Sequence, residues 1–133
     1  MKIKSYKPNE INDCREASQI SAAILDELVS YISEGITTEE IDKYCLERIK
    51  KLGGIPAPLF YRGFPKSCCT STNHVVCHGI PSEKILKEGD IVNVDVTAFK
   101  DGWHGDTSRM FPVGNISTKA QRLIDCTFEA MHR

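Results

Sequence analysis

The stretch IVNVDVTAFKDGWHGDTSRMF, residues 91–111, restricts the fold more than any other part of the 133-residue chain. Val92, Val94 and Val96 alternate with Asn93, Asp95 and Thr97, which is the two-residue period of a strand with one apolar and one polar face. Asp101-Gly102 is a strong signal for a two-residue hairpin loop. With that loop Lys100 opposes Trp103, Thr97 opposes Asp106, and Asp95 and Asp106 become diagonal neighbours on the polar face. Diagonal partners sit roughly 7–8 Å apart at the backbone, close enough for two carboxylates to converge. A four-residue loop would set them directly opposite, so either even-length loop keeps the shared face.

Aspartate is depleted in strands because it competes for backbone hydrogen bonds and resists burial. Two carboxylates held together repel, and one pKa rises unless a cation neutralises them. A hard divalent ion in a cleft is the simplest remedy, with the valine face packed on helices. The bland alternative has Asp95 capping a bulge and Asp106 pairing with Arg109 on the surface. His104 falls on the same face, as a solvated group, a neighbour of the ligands or a ligand.

Around this hairpin the pattern alternates helix and strand. Ala17, Ile20, Ile24, Leu28 and Ile32 recur at helical spacing, and Gly35 stops the run. Thr37 and Glu40 fit a capping box for a second helix with Ile41, Cys45, Ile49 and Leu52 on one face, ended by Gly53-Gly54. IPAPLFYRGFPKS carries three prolines and reads as an ordered loop. Lys66 to Gly79 suggests two short strands around Ser71-Thr72-Asn73, with Val75 and Val76 in the second. Thr118 and Gln121 fit another capping box, opening a third helix with Ala120, Ile124, Thr127, Phe128 and Met131. The whole, residues 1–133, is expected to be one α/β unit.

Seventeen basic against eighteen acidic side chains give a net charge of -1, and no basic cluster or nucleic-acid motif is present, so no global field favours nucleic acid or an acidic membrane. The N-terminal residues lack a signal peptide's apolar core, which makes the cytoplasm the expected compartment and keeps the six cysteines reduced. Cys14, Cys45 and Cys126 fall on apolar helical faces as packing residues. Cys68, Cys69 and Cys77 lie near His74 and His78, but their spacing does not match a paired CxxC zinc site. His78, before Gly79, is suited to hydrogen-bonding a substrate carbonyl or handling a proton, although a lone histidine is more often structural. His74 reads as solvated. Phe60, Tyr61 and Phe64 either wall an apolar pocket or cover the core.

The blocks PAPLFYRGFPKS, NHVVCHGIP, LKEGDIVNVDVT and DGWHGDTSRMF closely resemble, in order and across essentially the whole chain, those of type I methionine aminopeptidases of the bacterial form. The resemblance implies the N-terminal half of a pita-bread fold: a curved antiparallel sheet with helices on its outer face and metal ligands on its inner face. It implies removal of the initiator methionine from nascent polypeptides by metal-activated water, with two divalent ions (Co, Mn, Fe or Zn). Asp95 and Asp106 would be metal ligands, Asp106 bridging, and His78 would contact the scissile peptide. Tyr61, Phe64, Cys69 and Pro58 would line the methionine pocket. The partners implied are N-termini of nascent chains, with the ribosome as a further candidate.

The family completes its site with a metal-binding His, two metal-binding Glu and a second substrate-contacting His from a pseudo-symmetric second half. Beyond Asp106 this sequence offers only Glu129 and His132, in no matching motif. The chain is therefore expected to be an inactive N-terminal fragment that binds metal weakly. Two rival readings are a related Xaa-Pro or creatine-type pita-bread peptidase and a metal-free module that grips peptides or ribosomal partners.

Overall fold

The computed structural model of the chain describes residues 3–133. Helix α1 (Pro8–Tyr31) opens with Pro8 at its first position, where a missing N–H costs nothing, and Glu10 accepts from Lys7 N at 2.8 Å. Helix α2 (Thr38–Lys51) carries the expected capping box, with Glu40 N donating to Thr37 Oγ1 at 3.1 Å and Thr37 N donating to Glu40 Oε2 at 2.7 Å.

Strands β3 (Ile91–Lys100) and β4 (Trp103–Pro112) form the expected hairpin, with Lys100 opposite Trp103 and Thr97 opposite Asp106. Asp101 and Gly102, both at positive φ, make the turn. Along the other side of β3 lie β1 (Ile55–Pro56) and β2 (Cys69–Thr72), both antiparallel to it. β1 lay within the expected loop. Pro56, which has no N–H to donate, tolerates that short edge position.

Val92, Val94, Val96 and Ala98 are fully buried against Ile20, Ile24, Leu28, Ile41, Cys45 and Ile49 of the two helices. Burying each valine contributes about 1.5–3 kcal/mol. The helix and sheet also meet backbone to backbone: a Cβ on Gly105 would lie 2.2 Å from the carbonyl carbon of Ala17. Ser21, buried between them, donates to Gly105 O at 2.6 Å and accepts from Ala98 N at 3.1 Å. Glu27 of α1 holds Arg48 and Tyr44 of α2, tying the helices together.

Three expectations fail here. Val75 and Val76 form no return strand, because β2 spends one edge on β3 and Asn73 turns the chain against Ile91 instead. Asn73 N donates to Ile91 O at 2.9 Å, and Ile91 N donates to Asn73 Oδ1 at 3.0 Å. The outer edge of β2 receives Gly79 through Thr70 N to Gly79 O at 2.8 Å, and Val76 stands 92% exposed. Helix α3 (Thr118–Met131) is capped one residue earlier than expected: Ser117 Oγ accepts from Ala120 N at 3.2 Å. None of its residues is buried, so Cys126 is exposed and packs no core in this chain, unlike Cys45.

Candidate active site

The polar face of the hairpin floors a cleft of about 910 Å³ lined by Ala57, Pro58, Tyr61, Arg62, Gly63, Phe64, Pro65, Cys69, His78, Ile80, Asp95, Thr97, His104 and Asp106. The residues that the family resemblance assigned to metal or substrate, Asp95, Asp106, His78, Pro58, Tyr61, Phe64 and Cys69, therefore lie on one concavity. β3 and β4 supply Asp95, Thr97, His104 and Asp106 through strand alternation. The remaining walls come from the irregular segment 57–80, which no period places.

That segment is held by a few specific contacts. Asp42, buried on α2, accepts from Ser67 N at 2.6 Å and Cys68 N at 3.1 Å, anchoring the approach to β2. The turn at Tyr61–Gly63 closes on itself, with Phe60 N donating to Phe64 O at 2.7 Å. Gly79 comes so close to β2 that a Cβ would lie 2.2 Å from Thr70 O, and its N–H donates to Ser71 Oγ at 3.1 Å. His78, at φ 54, is thereby turned to the cleft. The aromatic question resolves toward the cleft for Tyr61 and Phe64. Phe60, 79% exposed, covers no core.

The Asp95 carboxyl is pushed above its ordinary pKa, first by burial, then by the charge and hydrogen bonding of Asp106, with His78 offsetting part of the shift. Thr97 Oγ1 donates to Asp106 Oδ1 at 2.9 Å. Asp106 does not pair with Arg109, whose guanidinium instead crosses to Asp26 on α1 at 2.8 Å. The bland surface-pair reading is overturned: Arg109 fastens β4 to the helix and leaves the aspartates uncompensated. Cys69 is pushed up to about 11, chiefly by burial and then by Asp95. Its thiol stays protonated near neutral pH, which makes it a polarizable wall rather than a nucleophile.

An uncompensated carboxylate pair suits a divalent cation chemically, because the ion removes the repulsion that raises Asp95. The pair is nevertheless a partial donor set: among the described residues no group of three or more His, Cys, Asp or Glu side chains could hold a metal ion. Cys68 is buried beside Cys45, Cys77 is exposed, and only Cys69 and His78 of the cysteine–histidine group line the cleft. Thr97 and Arg62 were not singled out as site residues by sequence reasoning. Thr97 was findable, since it shares the alternation of Asp95. Arg62 carried no signal beyond its place in the loop.

The profile of metallopeptidase family M24 matches residues 12–133. A methionine aminopeptidase of Rickettsia prowazekii is 49% identical over 131 residues, 98% of this chain and 51% of that protein. One from Escherichia coli K12 is 44% identical over 134 residues, 99% of this chain and 51% of that protein. The crystal structure of the Rickettsia prowazekii enzyme superposes with a TM-score of 0.96 at 48% identity, covering 98% of this chain and 53% of that one. An X-Pro aminopeptidase from Thermotoga maritima superposes at 0.80 with 22% identity, which speaks to the fold alone, over 96% of this chain and 35% of that one. The architecture is that of the pita-bread peptidases, with the sheet left open. The chain spans about half the length of the curated relatives it matches.

Proposed function

The chain belongs to metallopeptidase family M24, a family of divalent-metal peptidases, and from that premise we propose that it supplies half of the site of a methionyl aminopeptidase that removes the initiator methionine from nascent polypeptides. The observation that carries the reading is the convergence of Asp95 and Asp106 on one sheet face with Tyr61, Phe64, Cys69 and His78 around the same cleft.

Asp95 and Asp106 would hold the metal, as two of the ligands of a pair of divalent ions drawn from Co, Mn, Fe and Zn. Bound there, a divalent ion supplies Lewis acidity and lowers the pKa of water. Thr97 orients the Asp106 carboxylate by its hydrogen bond. Tyr61, Phe64, Pro58 and the protonated Cys69 receive the methionine side chain, whose flexible, polarizable thioether suits an aromatic and thiol lining. His78, near enough to Asp95 to affect its titration, is placed to hydrogen-bond the scissile peptide and stabilise charge on its carbonyl oxygen. No covalent enzyme nucleophile is needed.

Two observations favour this reading over its rivals. The methionine aminopeptidases quoted above are 44–49% identical to this chain, against 22% for the X-Pro enzyme. A metal-free peptide module would have no use for two uncompensated aspartates. The nascent N-terminus is the proposed partner, met at the ribosome in the cytoplasm. No helix among the described residues is long and apolar enough to cross a membrane.

Metal-loaded full-length protein incubated with Met-Gly-Met-Met should release free methionine, and Asp106→Asn should abolish release and weaken manganese binding. Unchanged metal affinity in Asp106→Asn would overturn the assignment in favour of a binding module. Polypeptide 1–133 alone should bind manganese weakly and release no methionine, because its own donors are too few.

A further inference from the structure

The rim of the cleft carries a cation that the proposed chemistry does not use. Arg62 is exposed, lines the cleft, and holds its guanidinium 5.4 Å from the Tyr61 ring centre, within cation–π range. Among the described residues no carboxylate forms a salt bridge with it. Asp95 and Asp106 lie on the floor of the same cleft and are not its partners, so its charge is not there to neutralise them.

The backbone under Arg62 is unusual. Phe60, Arg62 and Gly63 take φ of 67°, 48° and 84°, and left-handed conformations at Phe and Arg are unfavourable. Core burial does not offset this, since Phe60 and Tyr61 are both largely exposed. What the strained turn achieves is to set Tyr61 and Arg62 side by side on the cleft wall, one apolar face toward the pocket and one cation at the rim.

Resting on the peptidase reading above, we propose that Arg62 is a specificity residue that favours peptides carrying an acidic side chain beyond the scissile bond. The peptide's own N-terminal ammonium is repelled by a guanidinium, so the group Arg62 attracts must lie on the leaving segment. A third-position side chain starts roughly 7 Å along an extended chain from the methionine, and on this proposal the leaving segment passes the exposed Arg62 at the cleft wall. A rim charge of this kind acts on encounter and ground-state binding, and salt screens it.

The test uses metal-loaded full-length protein and two peptides, Met-Gly-Glu-Gly-amide and Met-Gly-Gln-Gly-amide, the amide removing the terminal carboxylate. The ratio of their kcat/KM values should favour Glu about three- to fivefold at low salt, expressed in KM rather than kcat, and approach one at about 0.5 M salt. Arg62→Lys should keep the preference, Arg62→Asn should abolish it, and Arg62→Glu should reverse it. Asn tolerates the left-handed backbone, and each ratio is internal to one variant, so loss of folded protein does not alter it. Equal use of the two peptides by the unaltered protein, or a ratio that survives Arg62→Asn, overturns the inference while leaving the peptidase reading intact. If neither peptide yields methionine, that reading fails and the inference fails with it.

Discussion

The two walls of the cleft are built by different physics. The β3–β4 hairpin is a ladder of ten opposed pairs whose valine face is sealed by α1 and α2. The segment 57–80, which follows the two-residue strand β1, has a self-closing turn, a four-residue strand and a loop pinned at Asn73 and Gly79. Periodic burial positions the carboxylates, whereas single hydrogen bonds and close backbone approaches position the pocket wall. The hairpin should therefore fail only when its helix seating is disturbed, and the loop wall should fail one contact at a time.

The largest effect should come from the seating. Gly105→Ala sets a methyl 2.2 Å from backbone atoms of Ala17, where nothing flexible can yield. Either α1 or β4 must shift, which should destabilise by about 3 kcal/mol or more. Against a total of about 5–15 kcal/mol for a domain, that is a large share, visible in urea melts as a lowered midpoint. A midpoint within error of the unaltered protein would mean that the hairpin is not seated on α1 this closely.

Next comes the chief anchor of the loop wall. Asp42→Ala strands the N–H groups of Ser67 and Cys68 in a buried setting, which should cost about 2–4 kcal/mol in the same melts. Asp42→Asn keeps an acceptor and should lose less. Equal losses in the two variants would show that the carboxylate's charge, rather than its role as acceptor, holds the wall.

Smaller, and of opposite sign, is the effect on the cleft face of the hairpin. The folded-state pKa of Asp95 is raised, so its proton is held more tightly folded than unfolded. That contribution is complete below the unfolded value near 4 and is lost as pH rises through the higher folded value. Glu16, Glu27, Glu40 and Asp90, whose carboxyls are held below their ordinary range, act in the opposite sense and are common to both proteins. In EDTA the melting temperature of Asp95→Asn should therefore rise relative to the unaltered protein as pH climbs from about 4, reaching a few degrees higher at pH 8. The same substitution should weaken divalent-metal binding more than about tenfold, since even indirect support of a ligand carries that much. Stability gained together with metal affinity lost would mark the carboxylate as functional; a loss of both would mark it as structural.

This division also explains what could be read before the fold was known. Lys100 opposite Trp103, the diagonal of Asp95 and Asp106, and the valine face follow from alternation and a two-residue turn, which are local properties. The α2 capping box is local too. The pairing of β2 with β3, β1 within a proline-rich stretch, and Asp42 as an anchor across 25 residues are not local, and no period announces them. Val75 and Val76 misled because β-branched residues favour strands only where a neighbouring strand is available. Likewise α3 has the pattern of a packed helix, yet Leu123, Phe128 and Met131 stay 60–72% exposed, because amphipathicity states which face wants cover and not whether this chain provides it.

The smallest expected effect tests that misreading directly. Val76 sits in the loop between Asn73 and Gly79, 92% exposed, and no named strand contains it. Were it the inward residue of a paired strand, Val76→Ser would bare a core contact and cost about 1 kcal/mol or more through lost burial and lost strand preference. In a solvated loop the same change should move stability by less than about 0.5 kcal/mol. Val94→Ser, on the buried face of β3, provides the contrast, since it sinks a hydroxyl into the apolar layer and should cost several times more. Matching losses at Val76 and Val94 would return the 73–79 segment to the sheet and erase the distinction between a wall made by periodicity and a wall made by point contacts.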